Sequence, residues 1–173
     1  MPTAIETKVT TQVYRVYIRA TAQAVWDAIT KPEWTERYGY GVRGEYDLRP
    51  GGTYRALTSE EMKREGAARG FSVPDVAGDG KVIEADPPRK LVQTWRMLMD
   101  PDLATQGFTR LSYELEQLQE GVTRLTVVHE LEGAPALAPL LGGELEAQGA
   151  GGGWAWVLSD LKTLLETGKS FAN

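Results

Sequence analysis

The sequence predicts an α+β fold with an antiparallel sheet, on three observations. A strand-like alternation at residues 13–19 is followed by two short helical segments. About six further strands follow between residues 42 and 131 with no long helix between them. The chain closes with one amphipathic helix, whose apolar stripe consists of Trp154, Val157, Leu158, Leu161, Leu164 and Leu165. Strands that run together, with the helices kept apart from them, are typical of this fold class.

The first strand and the helices after it are predicted from periodicity and capping. Residues 13–19 alternate between an apolar and a polar face, as a half-buried strand does. Thr21 is the predicted N-cap of a helix that runs to Ile29. Pro32 suits the first turn of a second short helix, predicted over residues 33–38.

Turn residues and two long connections divide the rest of the chain. The predicted strands cover residues 42–48, 53–57, 82–84, 91–99, 109–118 and 122–131. Gly78 and Gly80 predict a turn before the third of these. The connections at 59–77 and 133–150 carry apolar residues, which favours lids over a cavity rather than disorder.

Composition indicates one folded domain, predicted over residues 12–168, with terminal tails at 1–11 and 169–173. The chain has 173 residues, of which 42% are hydrophobic. Its 19 basic and 24 acidic residues give a net charge of −5, which argues against nucleic-acid binding. Cysteine is absent, so no disulfide and no thiolate metal site is predicted. Without a signal-like start or a long apolar run, we expect a cytoplasmic protein with no membrane insertion.

Two glycine-rich motifs have structural interpretations. Residues 39–44 match G-x-G-x-x-G, but a helix precedes them and a strand follows. A dinucleotide site needs the opposite order, so the motif predicts a helix-to-strand turn. Glycines 151–153 are predicted to let the chain enter the last helix without a side-chain clash, rather than to bind an anion.

Five segments resemble the activator-of-Hsp90-ATPase-homologue-like branch of the START-like superfamily, also called SRPBCC or Bet v 1-type. In order they are AVWDAIT (24–30), DLRPGGTY (47–54), GKVIEADPPRKLV (80–92), TVVHE (126–130), and Gly153-Trp154 with the leucines that follow. The resemblance implies a helix-grip fold, in which a curved antiparallel sheet of six or seven strands wraps around the C-terminal helix. It also implies an apolar cavity between the sheet and that helix.

The candidate ligand-binding residues are mostly aromatic. Pockets lined by aromatic side chains with a few polar groups are the usual small-molecule sites. The predicted contacts are Trp34, Tyr38, Tyr54, Phe71, Gln93, Trp95, Met97, Tyr113, His129, Trp154 and Leu158. Within this set, Gln93, Tyr113 and His129 are expected to orient a polar group of the ligand. No cofactor is expected.

His129 is the only histidine, and the alternation of its strand predicts that it points inward. Three roles stay open for it: a hydrogen bond within the wall, a ligand contact, or a catalytic acid or base. A metal site is not predicted, because the sequence offers no second imidazole and no thiolate.

We therefore expect a carrier or sensor that binds a small hydrophobic or aromatic molecule. The resemblance leaves two alternatives: an enzyme of the polyketide cyclase or dehydratase kind that uses His129, and an interaction protein for Hsp90-type chaperones. Trp156 lies opposite the apolar stripe of the last helix, which predicts an exposed contact surface such as that of a homodimer.

Overall fold

A computed structural model describes residues 10–173, and its fold is the predicted α+β helix-grip. The strands are β1 (Thr11–Ile18), β2 (Arg43–Tyr46), β3 (Thr53–Leu57), β4 (Val76–Asp86), β5 (Lys90–Met97), β6 (Thr109–Gln119) and β7 (Val122–Glu130). The helices are α1 (Ala22–Thr30), α2 (Pro32–Thr35), α3 (Glu60–Ala68), α4 (Pro101–Ala104), α5 (Leu137–Leu141) and α6 (Gly153–Thr167). All strand pairs are antiparallel, in the order β1-β7-β6-β5-β4-β3-β2.

The core lies between the concave face of the sheet and helix α6. Leu158, Leu161 and Leu164 of α6 are buried in one cluster with Leu91 of β5 and Leu125 of β7. Full burial of each leucine contributes about 1.5–3 kcal/mol to folding. The apolar stripe read from the sequence is therefore the surface that holds the helix to the sheet.

The predicted cap of α1 is confirmed, whereas α2 is shorter than predicted. The Thr21 hydroxyl accepts a hydrogen bond from the Ala24 amide at 3.1 Å, as an N-cap does. Helix α2 begins at Pro32 but ends at Thr35. The chain then turns through Gly39 and Gly41, which have φ values of 63° and 71°. The glycine motif is thus a helix-to-strand turn, as predicted.

The turn predicted at Gly78 and Gly80 is wrong, because both glycines lie inside the long strand β4. A Cβ atom on Gly80 would lie 1.8 Å from the carbonyl oxygen of Thr94, and one on Gly78 would lie 3.1 Å from that of Arg96. The glycines let β5 approach β4 this closely. Their purpose is tertiary packing, which a local turn rule does not detect.

Both long connections contain helices, and the second carries apolar residues into the core. Helix α3 occupies the first connection and is capped by Ser59, whose hydroxyl accepts from the Met62 amide at 3.1 Å. Helix α5 and a 3₁₀ turn at Glu146–Gln148 occupy the second. Leu137 and Leu141 of α5 join Leu131 in a second buried cluster. Helix α4 was not predicted from the sequence.

The C-terminal segment packs against α6 and corrects the predicted exposure of Trp156. Asp160 is off the apolar stripe, yet it is fully buried and accepts hydrogen bonds from the Gly39 amide (2.9 Å), the Ser170 hydroxyl (2.6 Å) and the Phe171 amide (2.8 Å). Trp156 is only partly exposed, because Phe171 packs against it edge-on at 5.0 Å between ring centroids. The surface expected at Trp156 is therefore partly covered by the protein's own chain.

The helices within residues 10–173 are too short or too polar to cross a membrane.

Candidate ligand cavity

A cavity of about 640 Å³ lies between the sheet, helix α6 and the elements of the two long connections. Its volume falls within the usual range for small-molecule sites. The wall on the sheet side includes Tyr46, Tyr54, Ala56, Ala77, Trp95, Met97 and Tyr113. The opposite side includes Tyr38, Trp154 and Val157, and the remaining lining includes Tyr40, Met62, Met99, Asp100, Leu103, Leu140 and Leu145.

The structure brings six of the predicted ligand-binding residues together on this wall. They are Tyr38, Tyr54, Trp95, Met97, Tyr113 and Trp154. They come from four strands or helices and the turn after α2, so only the tertiary fold makes them neighbours. Strand alternation could identify the inward faces, and the resemblance supplied the expectation that these faces meet at a cavity.

The other five predicted residues do not line the cavity. Gln93, His129 and Leu158 are buried in the layer behind the wall. Trp34 stacks under the guanidinium of Arg37, which lies 4.6 Å from its ring centroid. Phe71 is 68% exposed, because the turn after α3 directs it away from the sheet, while Val73 packs against Gly66 of that helix.

Four tyrosines, Tyr38, Tyr46, Tyr54 and Tyr113, form what we call the phenol cluster. Tyr46 stacks on Tyr54 with ring centroids 4.6 Å apart. The Tyr46 hydroxyl donates to Gln93 Oε1 at 2.7 Å, and the Tyr38 hydroxyl donates to the carbonyl of Ala28 at 2.9 Å. Sequence reasoning omitted Tyr46, although it lies on the inward face of its predicted strand. Gln93 thus orients Tyr46 and does not face the cavity.

The phenol cluster is neutral at physiological pH. Burial raises the pKa of Tyr54 to about 12, and the indole N–H of Trp95 opposes part of this rise. Burial also raises the pKa of Tyr46 and of Tyr113 well above the usual value; the charges of neighbouring phenols raise both further, whereas the hydrogen bond with Tyr46 lowers the pKa of Tyr113. The pKa of Tyr38 is raised by burial and then by Tyr54 and Asp160. The cluster therefore presents uncharged O–H groups to the cavity.

His129 belongs to a hydrogen-bonded chain behind the wall. The indole N–H of Trp154 donates to Nδ1 of His129 at 3.2 Å, and Nε2 lies 2.7 Å from the hydroxyl oxygen of Thr109. That hydroxyl donates to the carbonyl of Trp95 at 3.0 Å. An indole N–H can only donate, so Nδ1 accepts and the ring proton is on Nε2. The chain fixes one tautomer of a neutral imidazole.

These hydrogen bonds let His129 hold two residues of the cavity wall, Trp95 and Trp154, in place. Its ring is fully buried, and burial lowers its pKa to about 4. Both ring nitrogens are engaged, so no free lone pair or proton faces the cavity. Trp95 and Trp154 pack edge-on against the imidazole at 5.2 and 6.0 Å between centroids. Of the three roles left open by the sequence, the geometry supports the hydrogen bond within the wall.

The lining of the cavity is largely apolar and includes one charged side chain. Met62, Met97 and Met99 all line the cavity, and their flexible thioethers suit ligands of varied shape. Asp100 is the only ionised residue among the lining residues. Within residues 10–173, no group of three or more His, Cys, Asp or Glu side chains is arranged to hold a metal ion.

Family and structural relatives agree with this architecture. The family model described as "Activator of Hsp90 ATPase homolog 1-like protein" matches residues 19–166. The chain belongs to this family. The match covers strands β2 to β7 of this chain and helix α6 through Glu166, one residue before the helix ends. No functionally curated protein matches the sequence.

Solved structures of low sequence identity share the fold. PFC0360w, an Hsp90 activator from Plasmodium falciparum, is 17% identical with a TM-score of 0.61, covering 91% of this chain and 96% of that one. CalU16 from Micromonospora echinospora is 18% identical with a TM-score of 0.55, over 81% and 72% of the two chains. DynU16, of the dynemicin biosynthetic locus, is 20% identical with a TM-score of 0.59. The match covers 93% of this chain and 49% of DynU16, so this chain spans about half of DynU16. At these identities the likeness establishes the fold alone.

Proposed function

We propose that this protein binds a small, mainly apolar or aromatic molecule in the cavity, as a carrier or sensor. The observation that carries the proposal is the cavity itself, which has about 640 Å³ of space and a lining dominated by aromatic and aliphatic side chains. Membership of a family whose fold commonly binds hydrophobic ligands supports it.

Burial of apolar ligand surface would drive the binding. A ligand that buries about 300 Å² of apolar surface gains roughly 7 kcal/mol at 25 cal/mol per Å². The loss of translational and rotational freedom on association subtracts several kcal/mol from this gain. The wall is held in place before binding by the His129 chain and by the Tyr46–Gln93 hydrogen bond, which limits the cost of ordering side chains.

A titration with the fluorescent probe N-phenyl-1-naphthylamine tests the proposal. The blocking variant is Ala56→Phe, because Ala56 is buried, lines the cavity and shares the inward face of β3 with Tyr54. The matched control is Thr53→Phe, which adds the same ring to the exposed face of the same strand. We expect saturable binding to the wild type and to the control, and at least about tenfold weaker binding to Ala56→Phe.

The proposal fails if neither this probe nor a broad lipophilic library binds saturably. It also fails if Ala56→Phe and Thr53→Phe weaken binding equally while both remain folded by circular dichroism. A cyclase or dehydratase that uses His129 as a proton shuttle gains no support from the geometry, because both ring nitrogens are already engaged. The cytoplasmic location and the homodimer stay predictions.

Stimulation of the Hsp90 ATPase is a second candidate function. The description of the matched family and the Hsp90 activator among the structural relatives favour it. The direct test measures ATP hydrolysis by purified Hsp90 with and without this protein, using heat-unfolded protein as the control. An increase in rate that saturates with this protein supports the candidate. An unchanged rate, together with the absence of a complex in size-exclusion chromatography, rules it out.

A further inference from the structure

The four hydroxyls of the phenol cluster differ in whether they donate a hydrogen bond to a protein acceptor. Tyr38 and Tyr46 donate to acceptors of the protein, Ala28 O and Gln93 Oε1. Tyr54 and Tyr113 also line the cavity, and within residues 10–173 neither hydroxyl donates to a carbonyl or an amide; the Tyr113 hydroxyl has only the Tyr46 hydroxyl within hydrogen-bonding reach. Two donors are therefore available to an occupant of the cavity.

The surroundings of these two donors favour an uncharged acceptor. The indole N–H of Trp95 donates toward the Tyr54 oxygen, so the hydroxyl proton of Tyr54 is free to be donated to another acceptor. The Tyr113 hydroxyl lies within hydrogen-bonding reach of the Tyr46 hydroxyl and close enough to the Tyr54 phenol for each to raise the cost of ionising the other. All three phenols are protonated, and Tyr54 and Tyr113 line the cavity, so an occupant without an acceptor would leave their O–H groups unpaired, which costs free energy. A ligand oxygen that accepts from them removes this cost.

Charges near the cavity disfavour an anion. Among residues 10–173, the only charged side chain that lines the cavity is Asp100, and three further acidic side chains lie close to tyrosines at or near the cavity. Asp160 acts on Tyr38, Glu146 acts on Tyr40, and Glu144 acts on Tyr14. No lysine or arginine is among the lining residues. A carboxylate in this cavity would lose its hydration without gaining a counter-charge, which is costly.

We propose that the occupant is a neutral aromatic or apolar molecule with an acceptor oxygen of the carbonyl class. The oxygen accepts from the Tyr54 and Tyr113 hydroxyls, and the apolar body lies among Trp95, Met97 and Trp154. This inference rests on the proposed function, because it specifies the ligand class of the same cavity. A ligand with no acceptor leaves both donors unpaired, and a ligand with a carboxylate meets the acidic surroundings.

Three naphthalene probes of one skeleton test this ligand class. 2-Acetylnaphthalene has a neutral acceptor, 2-ethylnaphthalene has a similar shape with no acceptor, and 2-naphthoate carries the charge. Their affinities are measured by displacement of N-phenyl-1-naphthylamine from the wild type, from the Tyr54→Phe/Tyr113→Phe double variant and from Tyr17→Phe. Tyr17 is 52% exposed on the outer face of β1, so it is the matched control for loss of a phenol hydroxyl.

We expect the acetyl probe to bind the wild type about five- to tenfold more tightly than the ethyl probe, with naphthoate the weakest. In the double variant the acetyl and ethyl probes become equal, while the ethyl probe keeps at least its wild-type affinity. Tyr17→Phe leaves all three affinities unchanged. Equal binding of all three probes, tightest binding of naphthoate, or an acetyl preference that survives in the double variant overturns the inference while the proposed function stands. If neither N-phenyl-1-naphthylamine nor the broad lipophilic library binds saturably, the proposed function fails first.

Discussion

The buried imidazole of His129 gives the stability of this protein a specific pH dependence. Burial lowers the pKa of His129 from 6.5 to about 4 in the folded protein. The unfolded chain exposes the ring and has the ordinary value. When the pH falls below about 6.5, the unfolded state takes up a proton that the folded state does not. The contribution of His129 to stability is therefore fully present above pH 6.5 and is lost as the pH falls through the folded pKa of about 4.

The size of the effect follows from the shift. The difference between 6.5 and about 4 is roughly 2.5 pKa units, and each unit corresponds to 1.36 kcal/mol, so the total is about 3 kcal/mol. About 2 kcal/mol of this should already be lost at pH 5. A typical domain has only about 5–15 kcal/mol of stability. The loss is large enough to measure by urea denaturation.

The assay compares the wild type with His129→Gln by urea denaturation between pH 7.5 and pH 4.5. The carboxylates titrate in both proteins, so the difference in slope isolates the imidazole. Glutamine lacks the titrating ring, and we expect its free energy of unfolding to fall by about 2 kcal/mol less than that of the wild type between pH 7 and pH 5. Because His129 is the only histidine, its NMR signals also report the folded pKa and the Nε2–H tautomer directly. A folded pKa near 6.5, or equal slopes in the two proteins, would refute the reasoning.

Three further predictions concern stability and are checked by urea denaturation at pH 7.5. Asp160→Asn should cost about 2–3 kcal/mol, because the new NH₂ group must face one of the three donors that now bond the carboxylate; an unchanged midpoint would show that the pairing is dispensable. Gly153→Ala should destabilise by several kcal/mol, since its Cβ would lie 2.1 Å from the Leu141 carbonyl oxygen. The control is Gly149→Ala, because Gly149 also has a positive φ (86°, against 66° at Gly153) but no atom lies within 4 Å of the added Cβ. This control should cost only about 1–2 kcal/mol. Equal losses of stability in the two variants would contradict the predicted clash at Gly153. Thr21→Ala should cost about 1 kcal/mol through loss of the α1 cap. An unchanged free energy of unfolding would show that this cap does not stabilise the protein.

The sequence could predict most of the fold because its signals are local. Alternation gave the strands at both ends of the chain, and the hairpin of β6 and β7 agrees with its predicted range within one residue. The Thr21 cap and the start of α2 at Pro32 depend only on neighbouring residues. The errors arose where a distant part of the chain determines the local conformation. At Gly78 and Gly80 the backbone of β5 lies too close for a side chain. After α2, the turn is held by the hydrogen bond from the Gly39 amide to Asp160 of α6.

The candidate site shows the same division. Residue type and strand face placed Tyr38, Tyr54, Trp95, Met97, Tyr113 and Trp154 in a set that the structure does assemble around one cavity. Alternation also predicted that His129 points inward, and it does.

The sequence by itself determined which faces are apolar and that the last helix needs an apolar partner. Only the tertiary structure decided that Gln93 and His129 stand behind the wall, that Tyr46 belongs to it, and that Phe71 does not. The reason is that a hydrogen bond such as that from Trp154 to His129, or from Gly39 to Asp160 across 121 positions, forms only after the sheet closes on α6. Periodicity reports the direction of a side chain, whereas its partner depends on which distant element the fold brings to it.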